Sequence, residues 1–79
     1  MKVHVQFFGP AAEKAGCRDL YIESQPDVRS VVQVVLETIP ALDVLEGNMK
    51  YARNTEYASL DTVLEEGDTL SFLPPVGGG

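Results

Sequence analysis

The chain opens on a strict alternation. Val3, Val5 and Phe7 fall on one side of an extended backbone, and Lys2, His4 and Gln6 on the other. Period two over this length predicts a half-buried strand across residues 1–8. Phe8 follows Phe7 directly, so it falls on the polar side as an exposed aromatic. Gly9-Pro10 stops the strand. Pro10 suits the first position of a short helix over residues 11–15, and Gly16 closes it. Asp19–Glu23 predicts a second strand, with Leu20 and Ile22 inward.

The period then changes. After the turn Ser24-Gln25-Pro26, Asp27 is placed to accept hydrogen bonds from free helix N–H groups. Val28, Val31, Val32, Val35, Leu36 and Ile39 fill an i, i+3, i+4, i+7, i+8, i+11 face. A strand would instead put Arg29 and Gln33 beside Val31 and Val35. The pattern predicts a helix from Val28 to about Thr38, ended by Pro40. Its five valines are stiff at χ1 and disfavour helix, so packing of the apolar face must override propensity.

The rest is shorter in period. Residues 41–46 predict another helical turn, anchored by Leu42 and Leu45 and stopped by Gly47. Residues 49–53 and 56–59 predict two short strands around Asn54-Thr55. Residues 60–65 connect onward, pinned by Val63 and Leu64. Glu66-Gly67-Asp68 is a tight turn, with Gly67 free to take positive φ. The last strand carries Leu70 and Phe72 inward and Thr69, Ser71 and Leu73 outward. The order β-β-α-β-β-β, with one long amphipathic helix, predicts an α+β domain. The helix lies across one face of a mixed sheet of about five strands, and the other face is partly free.

Size and charge narrow the function. Seventy-nine residues make one domain and bury only about 60% of the unfolded surface. No apolar run approaches the roughly 20 residues of a membrane span, and no signal peptide is evident. The lone cysteine, Cys17, cannot form an internal disulfide, which fits a reducing cytoplasm. A net charge of −6 argues against nucleic acid and anionic membrane as partners and is compatible with a basic protein.

Catalytic groups are scarce. His4 is the only histidine; it lies mid-strand on the polar side, and a solvated surface histidine accounts for it. Cys17 beside Arg18 has no second cysteine and no nearby histidine for a metal set or a nucleophile–base dyad. Glu65, Glu66 and Asp68 read as a solvated acidic turn rather than a metal site. No glycine-rich loop could cradle a phosphate.

The end of the chain is different. Pro74-Pro75 stops the last strand, and Val76 leads to Gly77-Gly78-Gly79 and a terminal carboxylate. A glycine run opposes folding through its backbone entropy. It offers a thread that passes down a channel too narrow for any Cβ, with a carboxylate at its tip. The plain alternative is a frayed terminus. A carboxylate must be activated before it reacts, and this chain carries no nucleotide-binding signal. Activation would belong to another protein, which makes the chain a carrier or substrate more readily than a catalyst.

The residues from Leu64-Glu65-Glu66-Gly67-Asp68 through Phe72-Leu73-Pro74-Pro75-Val76-Gly77-Gly78-Gly79 resemble the C-terminal signature of the small, sulfur-carrier subunits of molybdopterin synthase. That signature reads L-x-[DE]-G-D-x-[VL]-x-[FL]-x-P-P-V-x-G-G. The resemblance also covers Val5-Gln6-Phe7-Phe8, the helix starting at Asp27, and Arg53-Asn54-Thr55. One departure lies in the first short helix, where the family usually has Arg and this chain has Ala12 and, nearby, Lys14.

The resemblance implies a ubiquitin-like β-grasp domain over residues 1–73 and a tail over residues 74–79. It also implies a sulfur-carrier role in molybdenum cofactor biosynthesis. An E1-like activating enzyme would adenylate Gly79 with ATP, and a sulfur donor protein would leave a thiocarboxylate there. The tail, Pro74, Pro75, Val76, Gly77 and Gly78, would insert into the large synthase subunit in a heterotetramer of two small and two large subunits. Leu73, Tyr57 and Phe8 would dock that partner. No cofactor or metal is implied in the chain itself. Related carriers for thiamine, cysteine or a tungsten cofactor, a protein modifier joined to lysines, and a binding module with an inert tail remain alternatives.

Overall fold

The computed structural model describes residues 1–45 and 47–74. Five strands, β1 (Lys2–Phe7), β2 (Asp19–Glu23), β3 (Lys50–Arg53), β4 (Glu56–Ala58) and β5 (Thr69–Leu73), join in one mixed sheet of order β2-β1-β5-β3-β4. Two helices, α1 (Pro10–Ala15) and α2 (Val28–Thr38), and a 3₁₀ helix (Pro40–Leu45) complete the fold. The first and last strands run parallel at the centre, with Val5 opposite Leu70 and Phe7 opposite Phe72. Every other pairing is antiparallel. A sheet that pairs the first and last strands around one crossing helix is the β-grasp arrangement that the family resemblance implied and that the element order fits.

The core lies between α2 and one face of this sheet. Val3, Val5, Phe7, Ile22, Leu70 and Phe72 meet Val28, Val31, Val32 and Val35 there. Phe72 is at its centre, edge-on to Phe7 at 5.4 Å and to Tyr51 at 5.1 Å between ring centroids. Each apolar side chain removed from water in this layer contributes about 1.5–3 kcal/mol, enough in sum to hold five valines helical. Asp27 caps α2 by accepting from the Ser30 N–H at 3.0 Å and the Ser30 hydroxyl at 2.9 Å. Those two Ser30 bonds stabilise the carboxylate and lower its pKa. Leu36 and Ile39, the last two positions of the stripe, are only half-buried.

Several local expectations differ from what is seen. Val63 does not pin the connector from inside; it is 58% exposed, and its backbone bridges to Asp27 while Leu64 fills the core. Ser71 faces away from α2 as its strand phase requires, yet is only 6% exposed, because β5 is a central strand with neighbours on both sides. Leu20 and Leu45 are half-buried rather than full anchors, and the 3₁₀ helix is secured by Leu42. Glu46 lies outside the described residues.

Candidate functional site

The tail leaves the sheet from the end of its central strand. β5 is flanked by β1 and β3, so its direction is held on both sides by ladder hydrogen bonds. The Phe8 N–H donates to the Phe72 carbonyl at 3.1 Å and carries the β1–β5 pairing one step past Phe7. Pro74, the first residue of the tail, is half-buried. Pro75, Val76, Gly77, Gly78 and Gly79 lie outside the described residues.

The three residues expected to dock a partner share the face that α2 leaves open. Leu73 is opposite Lys50 on β3 and adjoins the position of Phe8, just past β1. One row below run Gln6, Ser71, Ala52 and Tyr57, from β1 through β5 and β3 to β4. Phe8 is 45% exposed and Tyr57 71% exposed, while Leu73 is half-buried. The register brings Phe8 and Leu73 side by side. It does not bring Tyr57 against them: β3, carrying Lys50 and Ala52, stands between. The strand phase could have found Ala52, which the two-residue Asn54-Thr55 turn sets opposite Tyr57. Lys50 beside Leu73 follows only from the β3–β5 pairing.

The opposite end of the open face is polar. His4, expected as a solvated histidine, is instead half-buried and bonded on both ring nitrogens. Nε2 is 2.9 Å from an Asp19 carboxylate oxygen, and Nδ1 is 3.0 Å from the Thr69 hydroxyl. Tyr21 stacks on it at 4.7 Å, with the Lys2 ammonium 5.4 Å from the Tyr21 ring centre. The correction has a simple cause: β1 is also a central strand, and β2 and β5 close over its polar side chains. This group ties three strands together.

The acidic turn is likewise a built structure. Asp68 accepts from Arg53 Nε at 2.6 Å, the Glu65 N–H at 2.8 Å and Asn54 Nδ2 at 3.0 Å. Led by the Glu65 N–H bond, these hold its pKa down at about 2. The bond to Asp68 first, and then one from Arg53 Nη2 to the Glu65 carboxylate at 3.1 Å, raise the pKa of Arg53. Among the described residues no group of three or more His, Cys, Asp or Glu side chains could hold a metal ion. Nor is any described helix long and apolar enough to cross a membrane.

The model of the ThiS family matches residues 5–79. The chain belongs to the ThiS family. It is 32% identical to the molybdopterin synthase sulfur carrier subunit of Caenorhabditis briggsae, over all of this chain and 99% of that one. Among solved structures it resembles a chain of the complex of subunits 1 and 2 of molybdopterin-converting factor from Helicobacter pylori. There the identity is 32% and the TM-score 0.73, with both chains fully covered. SAMP1 of Haloferax volcanii, also covered fully in both directions, is 27% identical with a TM-score of 0.84.

Proposed function

We propose that this chain carries sulfur for molybdenum cofactor synthesis as a thiocarboxylate on Gly79. One observation carries the reading. The run from Leu64 to Gly79 fits every defined position of the carrier signature, in a chain 32% identical to a molybdopterin synthase sulfur carrier subunit. The chemistry is supplied from outside. An E1-like enzyme joins the Gly79 carboxylate oxygen to the α-phosphorus of ATP and releases pyrophosphate. Sulfide sulfur from a donor protein then attacks the acyl carbon; the C–O bond to AMP breaks, AMP leaves, and a thiocarboxylate remains. In the large synthase subunit that sulfur passes to a cyclic pyranopterin phosphate.

The chain's own part is to present the terminus. Gly77, Gly78 and Gly79 let the backbone reach a buried site, and Pro74-Pro75 stiffens the exit so that less entropy is lost on insertion. Val76 is the last side chain before the thread. Phe8, Leu73 and Tyr57 lie on the open face and dock the large subunit. The complex of the two Helicobacter subunits supports a large-subunit partner. Two carriers and two large subunits form the active assembly.

Deleting Gly79 tests this directly. The truncated chain is expected to fold and melt as the parent does. After incubation with ATP, the activating enzyme and a sulfur source, only the parent should gain the mass of one oxygen replaced by sulfur. Equal sulfur loading of the truncated chain would sink the carrier reading. Similarity to SAMP1, a small archaeal modifier protein, favours a second reading, attachment to lysines of other proteins. Covalent conjugates through a Gly79–lysine amide in the same incubation would support it.

A further inference from the structure

The geometry points to Gly9 as a positioning residue that aims the tail, acting through Pro74; the inference rests on the carrier reading above. After Phe8 the backbone leaves the sheet at Gly9, with φ 56° and ψ −134°. Residues with an L side chain rarely adopt that region, and holding one there strains the backbone. The turn is fastened to α1: the Phe8 carbonyl accepts from the Ala11 N–H at 3.2 Å, and the Gly9 carbonyl from the Ala12 N–H at 3.0 Å.

Pro74 rests on this turn. A Cβ on Gly9 would lie 3.4 Å from Pro74 Cγ, 3.6 Å from Cβ and 3.8 Å from Cδ, so the proline ring passes directly over the bare Cα. Away from that contact the ring borders a mainly apolar cavity of about 240 Å³, lined also by Pro10, Ala11, Leu45, Asn48 and Met49. Steric contact with an added methyl group is therefore tolerable; the backbone strain is not. An alanine at position 9 relaxes toward negative φ, which rotates the surface under Pro74. The cavity gives the ring room to follow. Five residues remain beyond Pro74, a reach of at most about 17 Å, so the direction set at Pro74 limits where the terminus can go.

The effect should appear in productive encounter rather than in chemistry, since the apparent dissociation constant is the intrinsic one divided by the fraction of tails aimed at the partner's channel. In the loading reaction Gly9→Ala is expected to raise the KM for this chain about fivefold with kcat unchanged. Its melting curve should remain a single cooperative transition. Pro74→Gly, which removes the ring, should raise KM to a similar extent, and the double variant should be no worse than either single one. Additive effects, or a Gly9→Ala chain that loads with the parent's KM, overturn the inference. A nuclear Overhauser contact between the Gly9 α-protons and the Pro74 ring in the free chain is the second measurement. It decides the matter if Gly9→Ala fails to fold: its absence also overturns the proposal. Failure of the unaltered chain to load sulfur would instead defeat the carrier reading and leave the Gly9–Pro74 contact standing.

Discussion

Asp68 shows how one side chain ties the tail-bearing strand to the rest of the sheet. Its carboxylate joins Arg53 at the end of β3, Asn54 in the hairpin turn and the Glu65 N–H before the last strand. Asn54 in turn accepts from the Thr69 N–H at 3.0 Å, where β5 begins. Folding lowers the Asp68 pKa from 3.8 to about 2. A carboxylate depressed by folding stabilises the native state fully above its unfolded value and loses that contribution as pH falls through the folded value. The melting temperature should therefore drop as the solution is acidified from about pH 4 toward pH 2. Asp68→Asn should melt lower at neutral pH and show a shallower fall across that window. Parallel melting curves for the two proteins across an acid titration check it, and identical slopes would mean the carboxylate is not the titrating group.

At the scale of the element, α2 is stable only where it lies. Its valines are poor helix formers, and its interior lacks the alanine and leucine content of an autonomous helix. The helix persists because Val28, Val31, Val32 and Val35 are buried against β1, β2 and β5, and because Asp27 and Pro40 set its ends. Val35 is completely buried. An aspartate there would leave an unpaired charge in the core, a penalty of several kcal/mol against a total stability of about 5–15 kcal/mol. Val35→Asp is expected to abolish the native circular dichroism spectrum at 25 °C or, at the least, its cooperative melt. Exposed positions of the same helix provide the control: Gln33→Ala should melt close to the parent.

For the whole molecule, the relevant feature is that one face of the sheet has a helix and the other does not. The open face divides into a polar half around His4, Tyr21 and Asp19 and an apolar corner around Phe8 and Leu73, with Tyr57 two strands away from β5. The apolar corner is next to the tail, so docking there would fix the direction in which the terminus enters a partner. Leu73→Asp is expected to weaken binding to the large synthase subunit by about 2 kcal/mol or more, roughly thirtyfold. Tyr57→Ala, at the rim, should weaken it less. Titration calorimetry with melting curves as controls reads both. Parent-like affinity in both variants would move the docking face elsewhere while leaving the tail assignment intact.

The helix Val28–Thr38, the inward residues of β1 and β5 and the hairpin around Asn54-Thr55 were all legible in the linear pattern. Each depends on the period of side chains along a single segment, or on the chemistry of residues in unbroken succession. Strand order was not legible in that way. Periodicity states which face of a strand is buried and is silent on which strand lies beside it. His4 and Thr69 are 65 residues apart, and nothing local to either indicates that they meet. Pairing β1 with β5 closes over His4 and Ser71 and places Phe8 at the root of the tail, while the β3–β5 register sets Lys50 beside Leu73. It likewise brings Gly9 under Pro74. The chain's own residues dictated that a proline would end the last strand; the long-range pairing, won by burying both inner faces against one helix, decided what Pro74 rests on as the chain leaves the sheet.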